Sequence, residues 1–354
     1  MVALYSFVPF GPARIELLVK YFGSAKNVWT AANNEFIKVG LKKETVKNFD
    51  RHRKEFNLKE YFNRLKKKRI SYICRGDEKY PANLLELSDA PTVLYVRGKI
   101  VRSDENAVAI VGSRKMTSYG REVTQKLAQE LASYGVTIVS GLAFGVDQAA
   151  HKAAVEAGGR CIAVLASGVD MITPRTNEWL GLEIINSSGA IVSEYPVGME
   201  PQKSFFPYRN RIISGLVKAV VVVEGMIKSG TIHTALHAAK QGREVFAVPG
   251  QITSPMSGAT HFLLKNGAKL LTQTSDILEE LSLQLHVDKD KVEEVMPSDD
   301  LEGKLIEILT NEPLHLDELA RISGLNVSEV SGKLTIMELK GLVRSLGGGV
   351  YKKV

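Results

Sequence analysis

Residues 205–215 read Phe-Phe-Pro-Tyr-Arg-Asn-Arg-Ile-Ile-Ser-Gly, with Lys203 just upstream. Three aromatic rings stand beside Arg209 and Arg211 on what reads as a loop running into a helix. Aromatic faces stack on nucleobases, and guanidinium groups pair with phosphates or lie flat on bases. The combination suits a nucleic-acid surface. A plainer arrangement fits the same residues: Phe205 and Phe206 anchor a loop in the core, and the two arginines are solvated.

Other residues able to do chemistry sit just after apolar runs. Val111-Gly112-Ser113-Arg114 leads into Tyr119-Gly120 and a helix. Gly112 lets a ligand approach the backbone, and Ser113 and Arg114 offer a hydroxyl and a forked cation to a phosphate. The spacing is neither GxGxxG nor a Walker loop, and a purely structural turn also fits. Ser140-Gly141-Leu142-Ala143-Phe144-Gly145-Val146-Asp147 is a second small-residue turn, with Asp147 read as a helix cap and His151 one turn further on. Local capping and packing explain this pair best. Glu224-Gly225 precedes Lys228-Ser229-Gly230-Thr231, where Ser229, Gly230 and Thr231 open a helix whose N-terminus suits an anion. His233 and His237 are four apart, but no third ligand is evident, so no metal site is expected. Asp147, Glu194 and Glu224 are the candidate carboxylates. No set of them makes a nucleophile, base and oxyanion hole, so neither catalytic residues nor a cofactor is expected.

The positioning elements follow from periodicity. Ala107–Val111, Val136–Ser140, Cys161–Ala166, Ala190–Ser193, Ala219–Glu224 and Val245–Val248 are short, apolar and rich in Val and Ile. Amphipathic stretches lie between them, such as Val123, Leu127 and Leu131. Apolar strands alternating with helices predict an α/β domain over residues 101–282, a parallel sheet covered on both faces. Ligands then bind beyond the carboxyl ends of the strands. Residues 1–100 read as helical at first: Leu17, Leu18, Tyr21 and Phe22 form a stripe stopped by Gly23. A Thr45–Phe49 helix and a charged helix from Asp50 to Lys68 follow, then short strands at Ile70–Cys74 and Val93–Val96. Residues 283–300 read as a polar linker. Helices at Leu301–Leu309, Leu316–Ile322 and Val327–Leu339, with two strands around Gly347-Gly348-Gly349, make a winged-helix module over 301–354.

Charge is unevenly spread along the 354 residues, whose net charge is +7. Residues 1–102 hold 21 Lys and Arg against 10 acidic residues, 103–298 hold 18 against 20, and 299–354 hold 7 against 9. A basic N-terminal segment attracts polyanions, but it equally suits a solvated helical face. The two cysteines, Cys74 and Cys161, lie far apart, and Cys161 sits in an apolar run, so a small core residue is expected rather than a disulfide. No apolar run is long enough to cross a bilayer and no leader segment is evident, so neither membrane association nor export is expected, and the default location is cytoplasmic.

The motifs occur in a fixed order: Gly112-Ser113-Arg114 with Tyr119-Gly120, Ser140-Gly141-x-Ala143-x-Gly145-x-Asp147-x-x-Ala150-His151, Ser193-Glu194-Tyr195-Pro196, Phe206-Pro207-x-Arg209-Asn210-Arg211, Glu224 with Ser229-Gly230-Thr231, and Pro249-Gly250. Over about 105–272 this resembles the DNA-processing protein A family. The helices before it resemble a sterile-alpha-motif or helix-hairpin module. The resemblance implies an extended Rossmann-like domain that binds single-stranded DNA without sequence preference, forms a homodimer, and loads the RecA recombinase during natural transformation. It assigns Arg114, Lys203, Phe205, Phe206, Arg209 and Arg211 to a pocket for backbone and bases, with Gly112 and Gly141 allowing close approach. Within the segment, Arg209 and Asn210 are expected to orient the loop, while Arg211 and one Phe face the strand. The sequence departs from the family pattern at Thr173-Pro174, at Gly258-Ala259-Thr260 and at His233, and the change at Thr260 bears on local loop contacts. The acidic winged helix suits a protein contact or weak duplex binding. The rival reading is a nucleotide-processing hydrolase of the Lonely Guy-like Rossmann group, but Glu224-Gly-Met-Ile-Lys-Ser-Gly-Thr lacks that group's glycine pair.

Overall fold

The computed structural model describes residues 1–281, 300–310, 312–339 and 342–353. These fall into two compact units, one made of residues up to 281 and the other of residues from 300. The expected linker lies outside the described residues except for its last position.

The first unit opens with six short helices: α1 Val2–Tyr5, α2 Pro12–Phe22, α3 Ala25–Thr30, α4 Asn33–Lys38, α5 Lys43–Glu55 and α6 Leu58–Lys67. The face of α2 differs from the expected one. Ile15 and Leu18 are buried, while Leu17 and Tyr21 are 68% and 64% exposed. A helix buries positions three and four apart, so Ile15, Leu18 and Phe22 form its stripe. The single charged helix expected from Asp50 to Lys68 is broken at Phe56-Asn57. There Asn57 caps α6, its side-chain oxygen accepting from the Glu60 N–H at 3.1 Å.

The strands are β1 Ile70–Cys74, β2 Val93–Gly98, β3 Val108–Val111, β4 Ile138–Ser140, β5 Cys161–Val164, β6 Ala190–Ser193, β7 Ala219–Val222, β8 Glu244–Ala247 and β9 Lys269–Leu270. They form one sheet in the order β1-β2-β6-β5-β4-β3-β7-β8-β9. From β6 to β9 every pairing is parallel; β2 runs antiparallel to β6, with Tyr95 opposite Ser193. β1 and β2, expected as part of a separate helical module, thus extend the sheet. Val93 to Val96 are all buried, as suits a strand with neighbours on both edges. Ile15, Phe36 and Phe49 of the helices share one continuous core with Val108 and Ile110 of β3.

The crossover helices are α8 Ser118–Ser133, α9 Val146–Glu156, α10 Glu178–Asn186, α11 Phe205–Gly215 and α12 Gly230–Lys240, with α7 Ala82–Leu85 before them and α13 Gly258–Lys265 and α14 Thr274–Glu280 after. Leu127 and Leu131 of α8 are buried as the spacing predicts, and Cys161 is a buried free thiol. Strand order runs outward in one direction from β3 through β4, β5 and β6, and in the other from β7 through β8 and β9. The reversal lies between β3 and β7, where an open parallel sheet leaves a crevice at its carboxyl ends.

The second unit packs α15 Asp300–Ile308, α16 Leu316–Ser323 and α17 Val327–Leu339 against a three-stranded antiparallel sheet of β10 Leu314–His315, β11 Val343–Gly347 and β12 Val350–Lys353. Gly347, Gly348 and Gly349 all have positive φ (90°, 62° and 81°), and an added Cβ at Gly349 falls 2.8 Å from His315 Nε2. Only glycine suits this turn. β10 is two residues long, too short to carry a sequence pattern.

His151 of α9 is fully buried, and burial pushes it down to about 4. The unfolded chain therefore takes up the proton first as pH falls. The stability this group contributes is complete above about 6.5 and is lost on acidification towards about 4, by ~3 kcal/mol in all. In urea titrations, wild type should lose stability more steeply over that window than His151→Leu; parallel pH profiles would show that the ring is not kept neutral by its burial.

Candidate nucleic-acid interface

A cleft of about 680 Å³ opens at the carboxyl ends of β3 and β7. One wall is the loop after β3. Gly112 packs against Val146, where an added Cβ would lie 2.5 Å from Val146 Cγ2. The Ser113 N–H donates to the Glu224 carbonyl at 2.9 Å, and the Val146 N–H donates to the Ser113 carbonyl at 3.2 Å. Gly145 holds φ 78°, and a Cβ there would sit 2.2 Å from the Ser113 carbonyl oxygen. The loop after β4 must be glycine-built at that point so that it can press against the loop after β3. Ser113 Oγ accepts from the Lys115 N–H at 3.0 Å. The turn leaves Arg114 and Lys115 exposed at the rim.

The facing wall is the first turns of α11. Phe205 begins this helix, so the segment read as a loop is helical from its first aromatic. Pro207 is tolerated because first-turn N–H groups have no intrahelical acceptor. Helical spacing then divides the segment. Phe206, Arg209, Asn210 and Ile213 line the cleft together with Lys203, as positions three and four apart must. The Arg114 guanidinium lies 5.2 Å from the centroid of the Phe206 ring, which joins the two walls by a cation–π contact.

Arg209 forms the floor. It is 3% exposed, and Nη1 donates to the carbonyls of Gly141 (3.0 Å) and Val164. Burial lowers its pKa to about 10, with Asp147 opposing that shift, so it remains a cation at neutral pH. Asp147 is buried beside it and accepts from the Gly141 N–H at 3.1 Å; burial raises its pKa. Asp147 lies inside α9, whose N-cap is Gly145, so it is not the cap that the sequence suggests. A Cβ on Gly141 would be 2.5 Å from Arg209 Nη2. Gly141 therefore seats the guanidinium instead of facing the cleft.

The third side is the start of α12. Ser229 is its N-cap residue, and Ser229, Gly230 and Thr231 all line the cleft. The Ser229 hydroxyl is buried without a hydrogen-bond partner, beside amides that a helix N-terminus leaves free for an anion. Lys115, Met226 and Met256 also line the cleft. Lys115 was legible beside Arg114. The two methionines come from the loops after β7 and β8, and nothing local marks them.

Two expected site residues lie elsewhere. Phe205 is stacked on Tyr195, ring centroids 4.1 Å apart and planes 16° apart, facing away from the cleft residues. Arg211 is 1% exposed and pairs through Nη2 with Glu194 Oε2 at 2.8 Å and through Nε with Asp89 at 3.5 Å, while its guanidinium covers the Tyr208 ring at 4.1 Å. Two residues on from Arg209, it points to the opposite side of the helix. Burial opposes its charge, but Glu194 and its neighbours outweigh that and hold its pKa above the ordinary value. Burial pushes the Glu194 carboxyl up, with Arg211 pulling it back part of the way.

Glu224 is occupied. One carboxylate oxygen accepts from the Thr117 N–H at 2.6 Å and the other from the Thr117 hydroxyl at 2.7 Å. It anchors the start of α8 and is not free to act as a base.

The profile of the family described as DNA recombination-mediator protein A matches residues 71–282, and that of the DprA winged helix domain matches residues 290–349. The chain belongs to the DNA recombination-mediator protein A family. Its α/β unit is the family's Rossmann-like domain, and its second unit is a winged helix. The chain is 42% identical to Protein Smf of Escherichia coli over 286 residues, covering 79% of this chain and 76% of that one. The X-ray structure of DprA from Streptococcus pneumoniae superposes with a TM-score of 0.67 at 33% identity, covering 80% of this chain and 98% of that one. A structure described as showing the single-stranded DNA binding mode of DNA processing protein A from Helicobacter pylori superposes with a TM-score of 0.55 at 31% identity, covering 61% and 97%.

Two outcomes follow from this geometry. Arg211→Ala leaves Glu194 buried and unpaired and should destabilise the fold by about 3–5 kcal/mol in urea unfolding. Gly141→Ala should dislodge Arg209 and weaken any anion binding in the cleft while changing the melting temperature less than Arg211→Ala does; equal losses of stability would assign Arg209 a purely structural role.

Proposed function

We propose that the chain binds single-stranded DNA in this cleft without sequence preference and delivers it to the RecA recombinase during uptake and recombination of DNA. The observation that carries this reading is the Arg114–Phe206 pair, with Lys115 and Lys203 beside it and Arg209 beneath. Cations for a phosphate backbone and a ring for a base meet in one groove, and stacking on a ring is open to every base. The family's description as recombination mediators and the single-stranded DNA binding of the H. pylori relative support it.

In this reading Ser113, Ser229, Gly230 and Thr231 hold phosphate oxygens, and Asn210 trims the helix face between Phe206 and Arg209. The protein acts as a homodimer in the cytoplasm. In this reading binding, not catalysis, is the activity, and the acidic winged helix makes a protein contact or plays a weak auxiliary role. Among the described residues no helix is long and apolar enough to cross a membrane. The hydrolase alternative is disfavoured because both oxygens of Glu224 are bound to Thr117.

Fluorescence anisotropy with single-stranded and duplex oligonucleotides at two salt concentrations tests the proposal. Arg114→Ala should lower affinity and reduce the salt slope by about 1. Phe206→Ala should cost about 1–3 kcal/mol with the slope unchanged. Equal affinity for duplex and single strand, or a salt slope untouched by Arg114→Ala, would refute the assignment. Faster RecA assembly on single strands in the presence of the protein tests the delivery step.

A further inference from the structure

The helix turn that presents Phe206 to the cleft presents Phe205 and Tyr208 to a second groove of about 340 Å³. Its opposite wall is the N-terminal segment, with Tyr5, Val8 and Phe10, and Tyr195 completes it. Glu194 contributes to this groove and is 3% exposed. Its Oε2 accepts from Arg211 at 2.8 Å and from the Tyr5 hydroxyl at 3.3 Å, while its Oε1 has no hydrogen-bond partner. A buried carboxylate oxygen left without a donor is costly, and here it lies among aromatic rings at a groove large enough for one planar ring.

We propose that this groove is a second base subsite, which takes a nucleobase carrying an exocyclic amino group from the strand held in the cleft. The proposal rests on the single-strand reading above. Phe205 and Phe206 are chain neighbours, so one turn of α11 separates the two recesses, and a strand crossing that turn can place successive bases on either side of it. The stacked Tyr195–Phe205 pair and Tyr208 supply flat apolar surface. The spare carboxylate oxygen accepts from the amino group of cytosine, adenine or guanine. Thymine offers instead a ring N–H flanked by two carbonyl oxygens, which a carboxylate repels. Selection is thus by one acceptor in a recess beside a cleft that itself is indifferent to sequence.

The full-length chain is titrated by anisotropy with deoxycytidine and thymidine homopolymers of equal length. Wild type should bind the cytidine polymer tighter by about threefold or more, the worth of one charge-assisted hydrogen bond less the cost of ordering the base. Val8 is 38% exposed at the groove, so Val8→Trp fills the groove from its rim without touching the Glu194–Arg211 pair. That variant, its fold checked by thermal melting, should lose the preference while keeping its affinity for thymidine. Photocrosslinking with 5-iododeoxycytidine should label the tryptic peptide 1–14, which carries the far wall. Equal wild-type affinity for the two polymers, a preference that survives Val8→Trp, an equal weakening of both polymers by that variant, or no label on peptide 1–14 would each overturn the subsite. Binding that still depends on Arg114 would leave the single-strand reading standing in those cases. Failure of wild type to bind either polymer would instead sink the single-strand reading and this subsite with it.

Discussion

The guanidinium of Arg209 sets the geometry on which the candidate site depends. It lies beneath the first turns of α11 and donates to carbonyls at the ends of β4 and β5. A charged group with so little exposure stays only where several acceptors replace its water. Its bonds therefore fix α11 over the carboxyl edge of the sheet. Phe206 and Lys203 are carried to a position opposite Gly112–Lys115, and the cleft is what remains between them. Glycine at 141 is required for that seat, because any side chain there would occupy the space of the guanidinium.

Sheet topology supplies the other half of the arrangement. Strand order reverses between β3 and β7, so the loops that follow them diverge and leave a crevice. Each loop is then tied down by contacts that take residues away from chemistry: Glu224 is held on Thr117, and Ser113 is pinned by its backbone to Glu224, just past β7, and to the start of α9. What remains available is cationic and aromatic: Arg114, Lys115, Lys203 and Phe206. The basic N-terminal segment makes up the net positive charge, whereas the cleft relies on a few local cations brought together by folding. Short-range contacts of that kind are less screened by salt than the field of a distant segment.

Arg211 and Arg209 show how little separates binding from structure in this helix. Both read as cations beside aromatics; Arg209, expected to orient the segment, is tied to strand-end carbonyls, whereas Arg211, expected to face the strand, is buried on Glu194. Once the segment is helical from Phe205, residues 206, 209, 210 and 213 share one face and 205 and 208 another. Arg211 falls among Glu194, Asp89 and Tyr208, where it neutralises a buried carboxylate. The same geometry separates Phe205 from Phe206 and creates two aromatic recesses where the sequence suggested one surface.

By itself the sequence determined the parallel order of alternating strands and helices, the strand-end position of Gly112–Arg114 and Ser229–Thr231, and the three helices and hairpin after residue 300. Those features depend on side-chain periodicity and glycine placement, which are local. The tertiary structure alone decided that β1 and β2 would complete the sheet, because antiparallel pairing with β6 joins residues far apart in sequence. It also decided which face of α11 meets the cleft, since the helix start sets the phase of every later residue and no capping side chain marks Phe205 as that start. The methionines at the rim and the groove at Glu194 were likewise invisible, because each is assembled from segments that meet only when the chain is folded.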